Sequence, residues 1–219
     1  MGGVEKNLRE GLQNLKLALN DQQIRQLLDY LELIAKWTQV YNLTALRDPA
    51  DMLTHHLLDS LAVVAPLQRC LQQAGLGQGG RLLDVGSGAG LPGVVMAICF
   101  PASSVTCVDT VSKKAAFIKQ VALALKLPRL TGLHARVETI AQPFDVICSR
   151  AFASLPEFTR WSAGALAPQG VWLAMKGKHP ADEISALPPT VEAFHVEQLA
   201  VPGLNADRCI VWMRPRPPG

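Results

Sequence analysis

Residues 81–93 read RLLDVGSGAGLPG, an apolar run that ends in an acid and then opens into glycines. Leu82, Leu83 and Val85 have the length and composition of a buried parallel strand. Gly86, Gly88 and Gly90 let the backbone turn sharply and let a ligand approach it. The apolar residues Val94 to Phe100 give a helix whose start faces that turn. Strand, glycine turn and helix hold a nucleotide-like ligand at the carboxyl end of an open α/β sheet. Two frames compete within the stretch. Gly88-Ala89-Gly90-Leu91-Pro92-Gly93 satisfies the dinucleotide pattern GxGxxG, but two residues then separate it from the strand, and Pro92 removes an amide that a phosphate would use. The frame that abuts the strand is Asp84-Val85-Gly86-Ser87-Gly88-Ala89-Gly90. Its acid, Asp84, would repel a pyrophosphate and welcome a cationic ligand.

Downstream of the stretch, strands and helices alternate. Ser104–Val108, Thr131–His134, Phe144–Ser149 and Val171–Met175 read as strands, with helices over Ser112–Leu127, capped by Ser112, and Leu155–Leu166. Such alternation means a parallel sheet with helices on both faces. A short helix over Asp182–Leu187 follows, then strands over Val191–Val201 and Arg208–Met213. The connection between them is too short for a parallel crossover, so they form an antiparallel pair. Upstream, Val4, Leu8, Leu12, Leu15 and Leu19 make one amphipathic helix face, and Asn20-Asp21 opens a second helix with its own apolar stripe. Asp48-Pro49 opens a third, through about Val64. The chain thus divides into a helical extension over residues 1–75 and an α/β domain over 76–219, joined through the glycines between 75 and 80 into one compact unit.

Hydrophobic residues make up 49% of the 219 and charged residues 18%, ample for a large core. The net charge is only +3, yet residues 110 to 180 carry ten Lys or Arg against three Asp or Glu, which suits a polyanionic partner. Five scattered cysteines without a CxxC pair read as reduced thiols of a cytoplasmic protein, and no metal site is suggested. The N-terminus is charged and helix-patterned, unlike a signal peptide, and no apolar run is long enough to span a bilayer. No obligate protein partner is evident.

The DxGxGxG pattern at the end of the first strand resembles that of class I S-adenosylmethionine-dependent methyltransferases, whose cofactor is a sulfonium without phosphate. That resemblance implies a Rossmann-like, mostly parallel sheet closed by an antiparallel strand. It also gives Asp109, at the end of the second strand, the ribose hydroxyls, and Val137 and Glu138, past the third, the adenine. At the end of the fourth strand, the (Asn/Asp)-Pro-Pro-(Tyr/Phe) loop of adenine amino methyltransferases is absent, and Cys148 lies in an apolar strand where a nucleophilic thiolate is not expected. An acceptor ring nitrogen with a free lone pair, such as guanine N7, needs neither device.

The segments DVGSGAGLPG (84–93), SRAFASL (149–155) and LAMKG (173–177), with YNLTAL (41–46) and HHLLDSL (55–61), resemble the small-subunit ribosomal RNA guanine-N7 methyltransferase family, also called the glucose-inhibited division protein B family. The likeness covers nearly the whole chain. It implies methyl transfer from S-adenosyl-L-methionine, leaving S-adenosyl-L-homocysteine, to N7 of one guanine, of the 527 type, in 16S rRNA or the 30S subunit. It places Gly86, Leu91, Val137, Glu138 and Arg150 at the cofactor, beside Asp84, Gly88, Gly90 and Asp109 from the strand-end pattern. Arg150, at a strand end, Lys176, as an RNA-phosphate contact after the fifth strand, and Asn42, between two helices, are candidates for positioning the acceptor. A small-molecule methyltransferase of the same fold, or a non-catalytic RNA-binding or ribosome-assembly protein with a vestigial pocket, are the alternatives.

Overall fold

The structure, a computed structural model, describes residues 2–41, 43–77 and 79–217. The chain opens with α1 (Gly2–Asn14) and α2 (Asp21–Tyr41). Asn20 caps α2: its side chain accepts from the Gln23 amide at 2.9 Å, and Gln23 returns the bond to the Asn20 amide at 3.0 Å. Asp48 caps α3 (Pro49–Met52), accepting from the Ala50 and Asp51 amides. The helix expected from there to about Val64 is less regular than its pattern. It widens into a π-helical turn over Leu53–Leu58, resumes as α4 (Asp59–Leu61), and is followed by a separate α5 (Val64–Gln73).

The sheet region then runs β1 (Arg81–Val85), α6 (Gly93–Cys99), β2 (Ser104–Asp109), α7 (Ser112–Ala124), β3 (Leu130–His134), β4 (Phe144–Arg150), α8 (Leu155–Ser162), β5 (Leu166–Lys176), α9 (Ala181–Ser185), β6 (Val191–Gln198) and β7 (Cys209–Pro215). Its seven strands are ordered β3-β2-β1-β4-β5-β7-β6. β1 to β5 are mutually parallel, and β7 is antiparallel to both β5 and β6. The order reverses between β1 and β4, and Val85 lies level with Val108 on one side and Ser149 on the other. The carboxyl ends of three central strands therefore open side by side at the switch point where such sheets bind ligands.

Strand residues alternate between two cores, as the pleat dictates. Leu82, Cys107, Val146, Cys148 and Leu173 face one side, where Val94 of α6, Phe117 and Ile118 of α7, and Leu8, Leu27, Ile34, Leu57 and Leu67 of the N-terminal helices join them. Leu83, Val85, Val108, Ile147 and Trp172 face the other, against Leu155 and Phe158 of α8. The N-terminal helices thus share one apolar cluster with the sheet.

Three local expectations change. Ser112 does not cap α7; Val111 is the last extended residue, and its amide donates to Asp109 Oδ1 at 2.9 Å. α8 stops at Ser162, whose hydroxyl donates to the Phe158 carbonyl at 2.6 Å and accepts from Trp172 Nε1 at 2.9 Å. Leu166, expected at its end, instead starts β5: it pairs with Phe144 of β4, the register then shifts, and pairing resumes from Val171 opposite Val146 to Met175 opposite Arg150.

Candidate active site

The glycine turn is held from behind. Gly86, Gly88 and Gly90 all have positive φ (67°, 58° and 89°). The Gly86 and Ser87 amides donate to the Val108 carbonyl, which locks the turn to the end of β2. At Gly86 a side chain is excluded twice over, by the left-handed backbone and by Phe152, whose Cδ2 would lie 2.3 Å from an added Cβ. Tyr30, fully buried in α2, donates its hydroxyl to the Ala89 carbonyl at 2.6 Å. An N-terminal helix therefore fixes the tip of the turn directly.

Asp84 does not face the ligand side. It is fully buried beneath the turn, where Oδ2 accepts from the Gly93 amide at 2.8 Å and Oδ1 from the Cys148 thiol at 3.7 Å. Burial drives its pKa up to about 7, against the opposing pull of the Gly93 hydrogen bond and the Arg150 charge. The acid before the turn thus ties the turn to the start of α6, and lines neither of the cavities in front of it. Gly90 is also internal, with Ile118 and Val94 within 2.6 Å of an added Cβ.

Two cavities meet at Gly86 and Ala151, which line both. The first, about 370 Å³, is bounded by Asp109, Val111, Lys114, Val137, Glu138, Phe152 and Trp161, among others. Asp109 is largely buried, with its Oδ2 accepting from the Gly88 amide at 3.0 Å and lying 3.6 Å from Lys114 Nζ. Each carboxylate oxygen keeps acceptor capacity beyond these bonds. Val137 is buried, whereas Glu138 reaches outward and pairs with Arg136 at 3.0 Å. Its carboxyl is held below the usual range by its own backbone amide and then by Arg136.

The second cavity, about 500 Å³, is lined by Thr44, His55, His56, Asp59, Ser87, Gly88, Leu91, Arg150, Lys176 and Arg208 together with their apolar neighbours. Its floor is an ion cluster. Arg150 Nη1 donates to Asp59 Oδ2 at 2.8 Å and to the His55 carbonyl at 3.0 Å, while Arg208 Nε donates to Asp59 Oδ1 at 2.9 Å. One carboxylate, 4% exposed, thus sits between two guanidiniums and leaves the cluster a net positive charge. Arg150 and Arg208 keep further N–H groups for a ligand. His56 bonds to Thr44 Oγ1 through Nε2 at 2.9 Å. Burial, then the nearby Arg150, lowers its pKa to about 4, so the ring is neutral at physiological pH.

Lys176 reaches this cavity but is engaged. Its Nζ donates to the Ala153 carbonyl and to both oxygens of Glu183, at 3.0, 3.0 and 2.7 Å. All three ammonium donors are used, so the lysine straps β5 to the loop after β4 and to α9, and none remains for an RNA phosphate. Asn42 lies outside the described residues.

The comparisons with known proteins fit this geometry. A family model described as GidB, rRNA small subunit methyltransferase G, matches residues 23–211. The chain belongs to the rRNA small subunit methyltransferase G family. A "Ribosomal RNA small subunit methyltransferase G" of Polaromonas naphthalenivorans is 72% identical, over 98% of this chain and 99% of its own length. One of Methylibium petroleiphilum is 58% identical, over 96% and 94%. Among solved structures, TrmN from Thermus thermophilus is similar with a TM-score of 0.54 at 21% identity, covering 75% of this chain and 53% of that one. Coclaurine N-methyltransferase gives 0.53 at 14%, covering 90% and 73%. These last likenesses concern the fold, a class I methyltransferase sheet. As a member of the G family the chain is an rRNA methyltransferase, its substrate is ribosomal RNA and its methyl donor is S-adenosyl-L-methionine.

The residues present fit that donor. The turn offers open backbone at Gly88, where an added Cβ meets nothing closer than 4.0 Å. Ser87 Oγ and His56 Nδ1 are buried beside the same cavity without a partner among the described residues. Asp109 supplies acceptors one cavity away. No helix among the described residues is long and apolar enough to cross a membrane. Sequence reasoning missed Arg208, which lies 149 residues from Asp59. Asp59 and Tyr30 carry no local signal of their distant bonds.

Proposed function

We propose that this methyltransferase acts on N7 of one guanine in 16S rRNA, of the 527 type, with the 30S subunit or its RNA as substrate in the cytoplasm and without an obligate protein partner. The observation that carries the reading is the state of the second cavity's reactive groups. Asp59, the only carboxylate among its described lining residues, is taken by two arginines, and the neighbouring Cys148 is buried with its thiol pushed well above the ordinary value by burial. Neither group is free to act as base or nucleophile, and the neutral His56, held by Thr44 and lowered by burial to a pKa of about 4, is a weak base. Guanine N7 requires none, because its lone pair attacks without losing a proton.

When bound, S-adenosylmethionine would supply an electrophilic methyl on sulfur and a neutral thioether as leaving group, with the positive charge passing to the purine. The protein's share is alignment. Asp109 accepts from the ribose hydroxyls, and Val137 and Glu138 flank the adenine in the smaller cavity. Gly86, Gly88 and Leu91 would bound the methionine arm, and Arg150 offers its remaining N–H groups to the larger cavity. Asp84 and Gly90 act on the cofactor through the shape of the turn. Lys176 positions the loop that carries Ala151 and Phe152, and Asn42 stands as a candidate for the acceptor side.

Incubation with tritiated S-adenosylmethionine and 30S subunits, naked 16S rRNA or no RNA tests the reading. Label is expected in 7-methylguanosine after nuclease digestion of the RNA. Label in another nucleoside, or RNA left unlabelled in both forms, overturns it.

A further inference from the structure

A ladder of rings climbs from the core to the rim of the site. Phe117 is fully buried; Trp37 packs on it with centroids 5.2 Å apart, and Tyr41 packs on Trp37 at 4.8 Å. Tyr41, at the end of α2, is 45% exposed, and beside it Val40 is 68% exposed. Lys113, in the first turn of α7, holds its Nζ 5.4 Å from the Tyr41 ring centroid and has no carboxylate partner among the described residues. Val111, two residues before Lys113, is 44% exposed. Three of the six large hydrophobic residues left exposed among the described residues therefore gather at this one corner. The corner adjoins both cavities: Leu43 and Thr44 line the larger, and Val111 and Lys114 the smaller.

An exposed ring and an unpaired lysine at the mouth of a nucleotide site form the pattern used for single-stranded nucleic acid. Bases stack on aromatic faces and ammonium groups follow the phosphates. The cation–π contact does not obstruct this. At an exposed site it is weaker than the stacking of a base on an aromatic ring, so a base can displace the lysine. The released ammonium then meets the phosphate that the same nucleotide carries. A target guanine whose N7 must reach a buried methyl has to leave its stack, and a platform for its neighbour offsets that loss.

We propose that Tyr41 and Lys113 form an RNA-docking element, in which a base flanking the target guanine stacks on Tyr41 while Lys113 moves from the ring to a phosphate. The proposal rests on ribosomal RNA as the substrate. Affinity for a 16S rRNA fragment, measured across a salt series in the presence of S-adenosylhomocysteine, tests it alongside methylation of the fragment and of 30S particles. Tyr41→Ala is expected to weaken binding by roughly ten- to a hundredfold, whereas Tyr41→Phe, which keeps the ring, stays within about twofold of the unsubstituted protein. Lys113→Gln should flatten the slope of log affinity against log salt by about 0.7 to 0.9, the share of one phosphate contact. Cofactor affinity should not move in any of the three, and the thermal midpoint should not move in Tyr41→Phe or Lys113→Gln; Tyr41→Ala gives up the ring's packing on Trp37 and lowers it modestly.

Unchanged RNA affinity in Tyr41→Ala with an unsubstituted protein that methylates the fragment overturns the docking element alone. Normal binding of naked RNA combined with lost methylation of 30S particles assigns the corner to a ribosomal protein and also overturns it. An unsubstituted protein that neither binds nor methylates ribosomal RNA removes the functional reading, and the docking element with it.

Discussion

Replacing Asp84 by asparagine should remove a pH dependence that the fold imposes on itself. The carboxyl is fully buried and meets only two neutral donors, the Gly93 amide and the Cys148 thiol. Burial lifts its pKa from 3.8 to about 7 in the folded protein, while the unfolded chain keeps the ordinary value. Between those two values the native state holds a proton that the unfolded chain has released. Stability therefore falls as pH rises through the window from about 4 to about 7, and levels off above it. At about 1.4 kcal/mol per pH unit the whole window amounts to about 4 kcal/mol, and the part between about pH 5 and about pH 8 to about 3 kcal/mol. An asparagine keeps an oxygen for the Gly93 amide and does not titrate. Urea unfolding of both proteins at those two pH values gives a double difference in which every other titrating group cancels. The loss of stability on going to the higher pH should be about 3 kcal/mol smaller in Asp84→Asn. An equal loss in both proteins would refute the assignment, since it would mean that Asp84 is ionised throughout or hydrated in solution.

Asp109→Ala should weaken S-adenosylmethionine binding by about 1.5–3 kcal/mol, the worth of hydrogen bonds to a charged acceptor, as read by calorimetry. An unchanged Kd would place the ribose elsewhere. Asp59→Ala leaves Arg150 and Arg208 facing each other over an empty site. Breaking a buried pair costs up to about 5 kcal/mol, but both arginines are partly solvated, so a loss nearer 2 kcal/mol is expected. Thermal unfolding should show that loss shrinking as salt is added, and a salt-independent loss would trace it to packing alone.

The sheet was legible because its strands are short apolar runs separated by helical periods and glycine turns, signals that act within about fifteen residues. The antiparallel closure was legible for the same reason, through the short link after β6. What escaped the sequence is whatever depends on contacts far along the chain. Asp84 looked like a ligand residue because a parallel strand ending in an acid gives no sign of which side its last side chains take. In the register observed, position 84 falls between Cys107 and Cys148 on the side packed against α6. Lys176 looked available to RNA because Glu183, on the far side of a turn, had no reason in the sequence to swing back to it. The cluster of Asp59 with Arg150 and Arg208 joins three elements that only the folded sheet brings together. The π turn before Asp59 was hidden because its residues have an ordinary helical composition.

The position of β7 has a consequence for how the protein is made. Synthesis delivers β6 before β7, yet β6 has no neighbour in the sheet except β7, and β7 is also what covers β5. Until residues 209–215 leave the ribosome, the nascent chain carries an uncovered parallel edge and an unpaired strand, the features that invite association with other chains. Arg208 stands immediately before β7, so the second guanidinium on Asp59 arrives in the same event that closes the sheet. The reaction cavity and the protected edge are completed together, and an incomplete chain has neither.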